Sequence, residues 1–442
     1  LESDDMVNWR IISQVYNRFD FPGWDNNENY GGGSWAPAIR FHDGKFWIYF
    51  CTPREGLMMS TATDPHGPWT PLHCVKNIGG WEDPCPFWDE DGQAYMGRSQ
   101  LGAGPIYLHR MTPDGKTLLD DGKIIYTGPV AEGTKFYKRH GYYYLSIPEG
   151  GVGEGWQTIL RSKNIYGPYE KKVVLEQGNT TVNGPHQGAL VDTPEGEWWF
   201  FHFQLTEPLG RVVHLQPVCW MENWPVIGVD MNGIGEPVKV WTKPGVSKSV
   251  LVSHPQTTDD FNSYTLGLQW QFNHNPVNTH WSLNERRGWL ALKALKAATL
   301  RESRNMLTQK CMGYLSTATV LLDFSALADG QRGGLFCTGS LYNGIGISRE
   351  EGKNYLYLEK NGDVQQVKMV SGKKIYLRVM LDAKKNRCQL FYSFDNCNFI
   401  LCGDAYSLKF GDWKGARVGL YSYNTLGIGG KCYFDWFNYD FN

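Results

Sequence analysis

The sequence predicts an all-β protein: a five-bladed β-propeller with an incomplete first blade, followed by an antiparallel β-sandwich. Three observations lead there. One pattern recurs four times in the first half, a short strand, a turn built on glycine and a strand dense in aromatics: "WAPAIRFHDGKFWIYF" from Trp35, "WEDPCPFWDEDGQAYMGR" from Trp81, "AEGTKFYKRHGYYYLSI" from Ala131 and "GPHQGALVDTPEGEWWFFHF" from Gly184. Its turn glycines, Gly44, Gly92, Gly141 and Gly196, are spaced by 48, 49 and 55 residues, the period of a propeller blade. Helical periodicity is absent through this half, and the region from Asp260 onward shows the short alternating runs of half-buried strands.

The elements follow in order. The chain opens "LESDDMVNWR", a short polar turn ending on an aromatic, Trp9, and "STATDPHGPWTP" from Ser60 and "RSKNIYGPYEKK" from Arg161 share that form. Gly44 precedes Trp69 by 25 residues and Gly141 precedes Tyr169 by 28, so the turn glycine that corresponds to Trp9 falls ahead of residue 1. Residues from Leu1 are therefore expected to form the outer part of a first blade that lacks its innermost hairpin. In the blades that follow, Asp-Gly or its equivalent supplies the positive φ of a tight hairpin. Five blades leave a narrow central channel lined by the innermost strands, and the propeller is expected over residues 1–235. "GEPVKVWTKPGVSKSVLVSHPQTTDDF" is rich in Pro, Ser and Lys and reads as a linker over 236–259. Residues 260–442 carry strands such as "GWLALKAL", "KIYLRVML", "ARVGLYSY" and "CYFDWFNY", which suggest the sandwich. No catalytic constellation stands out there, so packing is its expected role ahead of a lectin-like sugar site.

Composition narrows the function classes. A formal net charge of -2 gives no electrostatic case for nucleic acid or an anionic membrane surface. No run of 18 apolar residues is present, so no membrane span is expected. The ten cysteines show no zinc spacing and no CxxC pair, and read as free, mostly buried thiols of a reducing or anoxic setting. The compartment, cytoplasm or beyond the membrane, depends on what lies upstream, and the oligomeric state is open. The 18 Trp and 24 Tyr suit the apolar C–H faces of sugar rings, although most of them are expected to fill sheet cores.

Chemistry is expected where the inner strands converge. "WEDP" places Asp83 before Pro84, "AEG" places Glu132 at the corresponding spot and "GPHQG" places His186 there. Two carboxylates and an imidazole at one channel mouth are expensive to bury without a role. Trp35 and Trp81 stand nearby in sequence.

These segments, together with "LGRVVHLQPVCW" and "NWPVIG", resemble in their order those of glycoside hydrolase family 43, in the group with a C-terminal β-sandwich. The resemblance implies an exo-acting, inverting hydrolase that releases terminal α-L-arabinofuranose or β-D-xylose from plant hemicellulose, so its partners are arabinose- or xylose-containing oligosaccharides. The "GGGSWAP" form favours the arabinofuranosidase. The family uses an Asp general base in its first blade, an Asp that raises the pKa of the acid and orients it, and a Glu general acid. Asp83 matches the second and Glu132 the third. Arg211, in "LGR", matches an arginine that contacts the sugar; Trp35 is expected at the subsite wall, and Trp81 among the substrate-binding residues. His186 matches a channel histidine that approaches a metal in some members. No cofactor is required, and calcium held through water near His186 is the one ion implied. "DGQRGGLFC", around Arg332, is the implied loop bordering the active-site funnel.

The chain departs from the family at the general base, which belongs to the first blade's innermost strand, ahead of Leu1. Asp4 and Asp5 belong to that blade's outer turn; Asp20 and Asp25 lie in a loop but match no motif. Glu132 is expected to keep its proton near neutral pH because Asp83 is negative beside it. Without the base, water attack loses roughly 10²–10⁴-fold. The alternative reading is therefore a sugar-binding propeller that binds pentose and turns it over poorly.

Overall fold

The structure, a computed structural model, describes residues 1–245 and 253–442; the middle of the expected 236–259 linker lies outside them. Four sheets follow one another through the first half. Strands β1 (Trp35–His42), β2 (Lys45–Thr52), β3 (Gly56–Ala62) and β4 (His73–Lys76) pair in sequence order, as do β5 (Trp81–Trp88), β6 (Ala94–Gln100), β7 (Ile106–Met111) and β8 (Lys123–Tyr126). The third sheet contains β9 (Lys135–Arg139), β10 (Tyr142–Glu149), β11 (Trp156–Ser162) and β12 (Glu170–Leu175). The fourth contains β13 (His186–Asp192), β14 (Trp198–Thr206), β15 (Gly210–Met221) and β16 (Trp224–Ile227). Asp43–Gly44 and His140–Gly141 have φ values of 47° and 69°, and 49° and 75°. Two left-handed residues in succession are what a two-residue hairpin loop between twisted strands requires.

Each of three apolar clusters draws on two consecutive sheets, which makes the arrangement propeller-like. Trp47, Tyr49 and Met59 meet Ala94, Met96 and Met111 between the first and second sheets. Leu108 and Tyr95 meet Phe136, Leu145 and Leu160 between the second and third. Tyr144, Ile159 and Val174 meet Leu190, Phe200 and Ile227 between the third and fourth. Each fully buried large side chain contributes about 1.5–3 kcal/mol. The described residues thus form four blade-like sheets where five blades were expected. Ahead of them, the opening residues show an antiparallel bridge between Glu2 and Arg10, held by Asp5, which accepts from the N–H groups of Val7 and Asn8.

The chain divides into two compact units, one of residues 1–16, 32–205 and 211–254, the other of 17–31, 206–210 and 255–442. The first extends past residue 235. Strands β17 (Val229–Asp230) and β18 (Gly235–Glu236) add to the edge of β12, Lys243 reaches Asp5 and the Gly245 N–H donates to Glu197. Asp20 and Asp25 fall in the second unit, where Asp20 pairs with Arg18 and Asp25 with Arg18 and Arg304. That unit is built from an eight-stranded and a seven-stranded sheet. One face of the larger sheet buries Phe336, Tyr357, Tyr421 and Tyr423. Arg332 is on its Gln331–Thr338 strand and donates to the Tyr423 hydroxyl. Among the described residues, no helix is long and apolar enough to cross a membrane.

Gly188 on β13 shows how tightly these sheets are packed: a Cβ there would lie 1.8 Å from Phe200 Cζ, and Phe200 is fully buried. Gly188→Ala is expected to cost about 1–3 kcal/mol, the usual price of overpacking. Urea unfolding monitored by tryptophan fluorescence reads the loss.

Candidate active site

The inner strands β1, β5 and β13 share a break near their start, where the register shifts between Trp35 and Ala38, between Glu82 and Cys85 and between His186 and Ala189. Each break contains a non-glycine residue with positive φ, Ala36 (20°), Asp83 (52°) or Gln187 (53°), and Gly133 (61°) stands at the same place ahead of β9. A bulge re-aims the side chains beside it, and left-handed backbone at a non-glycine residue costs on the order of 1–3 kcal/mol unless its surroundings hold it. This corrects the expected alignment by one residue. Glu132 is equivalent to Glu82, Trp35 and His186, whereas Asp83 is equivalent to Gly133, Gln187 and Ala36.

The bulges bring Asp83, Glu132 and His186 together despite that shift. Asp83 Oδ2 accepts from the Gly133 N–H at 2.7 Å and from Gln187 Nε2 at 3.0 Å. Gln187 Nε2 also lies 3.4 Å from Glu132 Oε2, so one amide spans both carboxyl groups. Glu132 Oε1 is 2.9 Å from His186 Nε2. Glu82 is the residue the sequence reading passed over: its carboxyl atoms, with those of Asp83 and Glu132, form a group within 4.8 Å of one another. Glu82 Oε1 accepts from the Ala103 N–H at 2.9 Å. Lys135 on β9 is buried, with Nζ 3.2 Å from the Thr134 carbonyl.

Electrostatics distribute the protons unevenly. Burial and then the charge of Glu132 push Asp83 up, against the pull of Lys135, the Gly133 N–H and Gln187. Burial acts upward on Glu132 as well, but the hydrogen bond and charge of His186, with Asp83 and Arg211, hold it below the ordinary glutamate value. Burial, then the charge of Asp83, raises Glu82 to about 7. The sequence expectation was the reverse, with Asp83 charged and the proton on Glu132. In the free site Asp83 is therefore the harder of the two to ionise and Glu132 the easier, because Glu132 is the one beside His186 and Arg211.

Arg211 is the second residue of β15, half-buried, with its guanidinium 5.1 Å from the Phe203 ring centroid and its charge acting on Glu132 and Asp83. Trp35 is half-buried at the start of β1. Trp81 is not available as a sugar platform. It is 6% exposed, packs in the cluster between the first two sheets, and carries the Arg98 guanidinium 3.9 Å from its ring centroid. His186 does not suit a direct calcium ligand: Nε2 faces Glu132, Nδ1 is enclosed without a protein partner, and calcium takes oxygen. The one group of three ligand-type side chains among the described residues is Glu82, Asp83 and Glu132. Its carboxyl groups are hydrogen-bonded to the Ala103 and Gly133 N–H groups, Gln187 and His186. Gln187 was legible in "GPHQG" as a polar residue beside His186; nothing near Lys135 in sequence marked it.

Comparison with known proteins places this geometry. The family model described as glycosyl hydrolases family 43 matches residues 1–225, and that of the β-xylosidase C-terminal concanavalin A-like domain matches residues 258–440. The chain is 58% identical to a putative β-xylosidase of Xylanibacter ruminicola, over 95% of this chain and 79% of that protein. It is 30% identical to a non-reducing-end α-L-arabinofuranosidase of Bacteroides ovatus, over 83% of this chain and 70% of the other. The crystal structure of a GH43 protein from Bacillus licheniformis superposes with a TM-score of 0.85 at 27% identity, covering 99% of this chain and 91% of that one.

The placement of Trp81 has a direct check. Trp81→Phe is expected to lower the unfolding free energy by about 1–3 kcal/mol while leaving pentose affinity within about twofold. Calorimetric titration with xylose reads the second quantity, and a tenfold loss of affinity would return Trp81 to the substrate-binding residues.

Proposed function

We infer the reaction from one premise: the chain belongs to glycosyl hydrolases family 43. We propose that it is an exo-acting β-xylosidase that releases terminal xylose from hemicellulose oligosaccharides with inversion, and terminal α-L-arabinofuranose as a weaker activity. The supporting observation is the buried pair Asp83 and Glu132, bridged by Gln187, with the Arg211 charge acting on both. The β-xylosidase name of the 58% identical relative favours xylose over the arabinofuranose that "GGGSWAP" suggested. The same reading takes the two sheets of the second unit as a sandwich and the Glu2–Arg10 bridge as the outer edge of a fifth blade.

In this mechanism Glu132 is the general acid and Asp83 the group that stores its proton. A sugar hydroxyl that engages Arg211 draws that charge away from Glu132, and the sugar ring excludes water from the carboxyl. Both changes raise Glu132, so the proton passes from Asp83 to Glu132 and then to the leaving oxygen. Glu82 is too close to serve as the base. Inversion needs roughly 6.5–9.5 Å between acid and base to admit the attacking water, whereas the three carboxyl groups approach within 4.8 Å. The water-activating base is a further carboxylate outside this cluster. Binding without turnover is the weaker reading, because a sugar site gains nothing from carboxyl groups forced to share protons. No step uses calcium.

Glu132→Gln in the full-length protein is expected to lower kcat/KM about 10²–10⁴-fold on alkyl xylosides, whose leaving groups need a proton, and far less on activated aryl xylosides. Equal losses on both would remove Glu132 from the acid role. Proton NMR of the first product is expected to show α-xylose, and β-xylose would overturn inversion. Chelation by EDTA is expected to leave kcat/KM unchanged; a loss restored by calcium would place an ion near His186.

A further inference from the structure

The geometry points to Glu82 as a positioning residue: a third carboxyl that governs how long the Asp83–Glu132 pair keeps its proton as pH rises. The inference rests on the glycosidase reading above and adds a residue to it. Glu82 occupies on β5 the bulge position that Glu132 occupies ahead of β9 and His186 occupies on β13. It is 6% exposed, so its carboxyl is sequestered from bulk solvent. The Ala103 N–H, in the loop after β6, fixes Oε1 at 2.9 Å, and the Gly102 N–H is a second backbone donor to the carboxyl. His186, the neighbour of Glu132, is almost fully buried with Nδ1 unpartnered, so the pair has little freedom to relax around a change in charge.

The groups that face Glu82 are mostly of one sign. Asp83 on its own strand and Glu132 ahead of β9 lie in one cluster with it, and the charges of both raise it. On β2 burial pushes the Cys51 thiol up, the charges of Asp83 and then Glu82 add to it, and Arg98 on β6 acts on that thiol in the opposite sense. Lys135 on β9 acts on Asp83, and His186 and Arg211 act on Glu132. The cations of the site are thus arranged around the other two carboxyl groups.

The sign of the effect follows. Below about pH 7 Glu82 is neutral and adds no charge to the pair. As pH rises through that value Glu82 ionises, and a second negative charge in contact with the pair raises the pH at which its last proton leaves. Glu82 therefore extends the basic limb of the activity profile and leaves the acid limb, set by the water-activating base, where it is.

The experiment is the pH dependence of kcat/KM on an alkyl xyloside for the full-length protein, E82Q and E82D. E82Q is expected to move the basic limb down by about one pH unit with the acid limb fixed, and E82D, which keeps a carboxyl, to restore it. A basic limb unmoved in a folded E82Q overturns the inference, since a merely structural residue would scale the profile without shifting one side. Should E82Q not fold, the unmodified protein labelled with 13C at the glutamate carboxyl carries the test. One glutamate resonance is expected to titrate with a midpoint near 7, and the absence of any such resonance overturns the inference. This readout needs no turnover, so it separates failure of the Glu82 inference from failure of the glycosidase reading, which would show as no xyloside hydrolysis by the unmodified protein.

Discussion

The hydrogen bond from the Gly133 N–H to Asp83 Oδ2, 2.7 Å long, joins the start of the third sheet to the bulge of the second, and the site depends on it. Both ends of the bond are left-handed, Gly133 at 61° and Asp83 at 52°. The two conformations are mutually enforcing. Each places the partner of the other, and the bond they form, to a carboxyl group in a low-dielectric interior, is worth more than its counterpart in water. The cost of holding Asp83 at positive φ is met by the packing on either side of it, where Cys85, one turn of the strand further on, is fully buried among Leu108, Phe136 and Leu145.

From that fixed point the charge distribution follows. Three carboxyl groups in contact cannot all be ionised in a buried site, so the structure must decide which of them hold protons. It does so by the placement of its cations. His186 and Arg211 act on Glu132, Lys135 acts on Asp83, and Glu82 has peptide N–H groups. Ranked by that support, Glu132 is the most readily ionised when the site is empty. In the proposed mechanism Glu132 is the acid, and a sugar hydroxyl that diverted the Arg211 charge would reverse that ranking, so that binding loads the acid and proton donation is confined to the occupied site.

Much of this was legible in the sequence, and the part that was not has a physical reason. Spacing of turn glycines found the blade repeat because a two-residue hairpin needs positive φ, a demand that leaves its mark on composition at Gly44 and Gly141. Asp83, Glu132 and His186 were singled out because charged residues at strand starts of a repeat are conspicuous, and Arg211 through the family resemblance of "LGR". The bulge was invisible. Positive φ at Asp83, Gln187 and Ala36 is carried by ordinary residues, so the reading aligned Asp83 with Glu132 and passed over Glu82. Trp81 was misplaced for a related reason: next to a bulge, neighbouring side chains no longer alternate simply between channel and core, and Trp81 went to the core against Arg98. Lys135 gave no signal, since a lysine in a strand normally marks a solvated face.

A bulge repeated on successive inner strands explains how one architecture can carry several polar residues to one place without weakening its sheets. Regular pairing would send alternate residues of β5 to opposite faces and leave one carboxyl per strand at the channel. With the bulge, Glu82 and Asp83, adjacent in sequence, both reach the same cluster. Pairing with β6 resumes at Cys85 opposite Gly97, so the irregularity is confined to the channel end. The segment nearest the chemistry is therefore strained and polar, while the strand beyond it is regular, apolar and closely packed, with Gly97 leaving room for the Phe136 ring. The strain stays local because the packing that opposes it begins within two residues, and that proximity lets the same strand serve as rigid core at one end and carry the carboxyl cluster at the other.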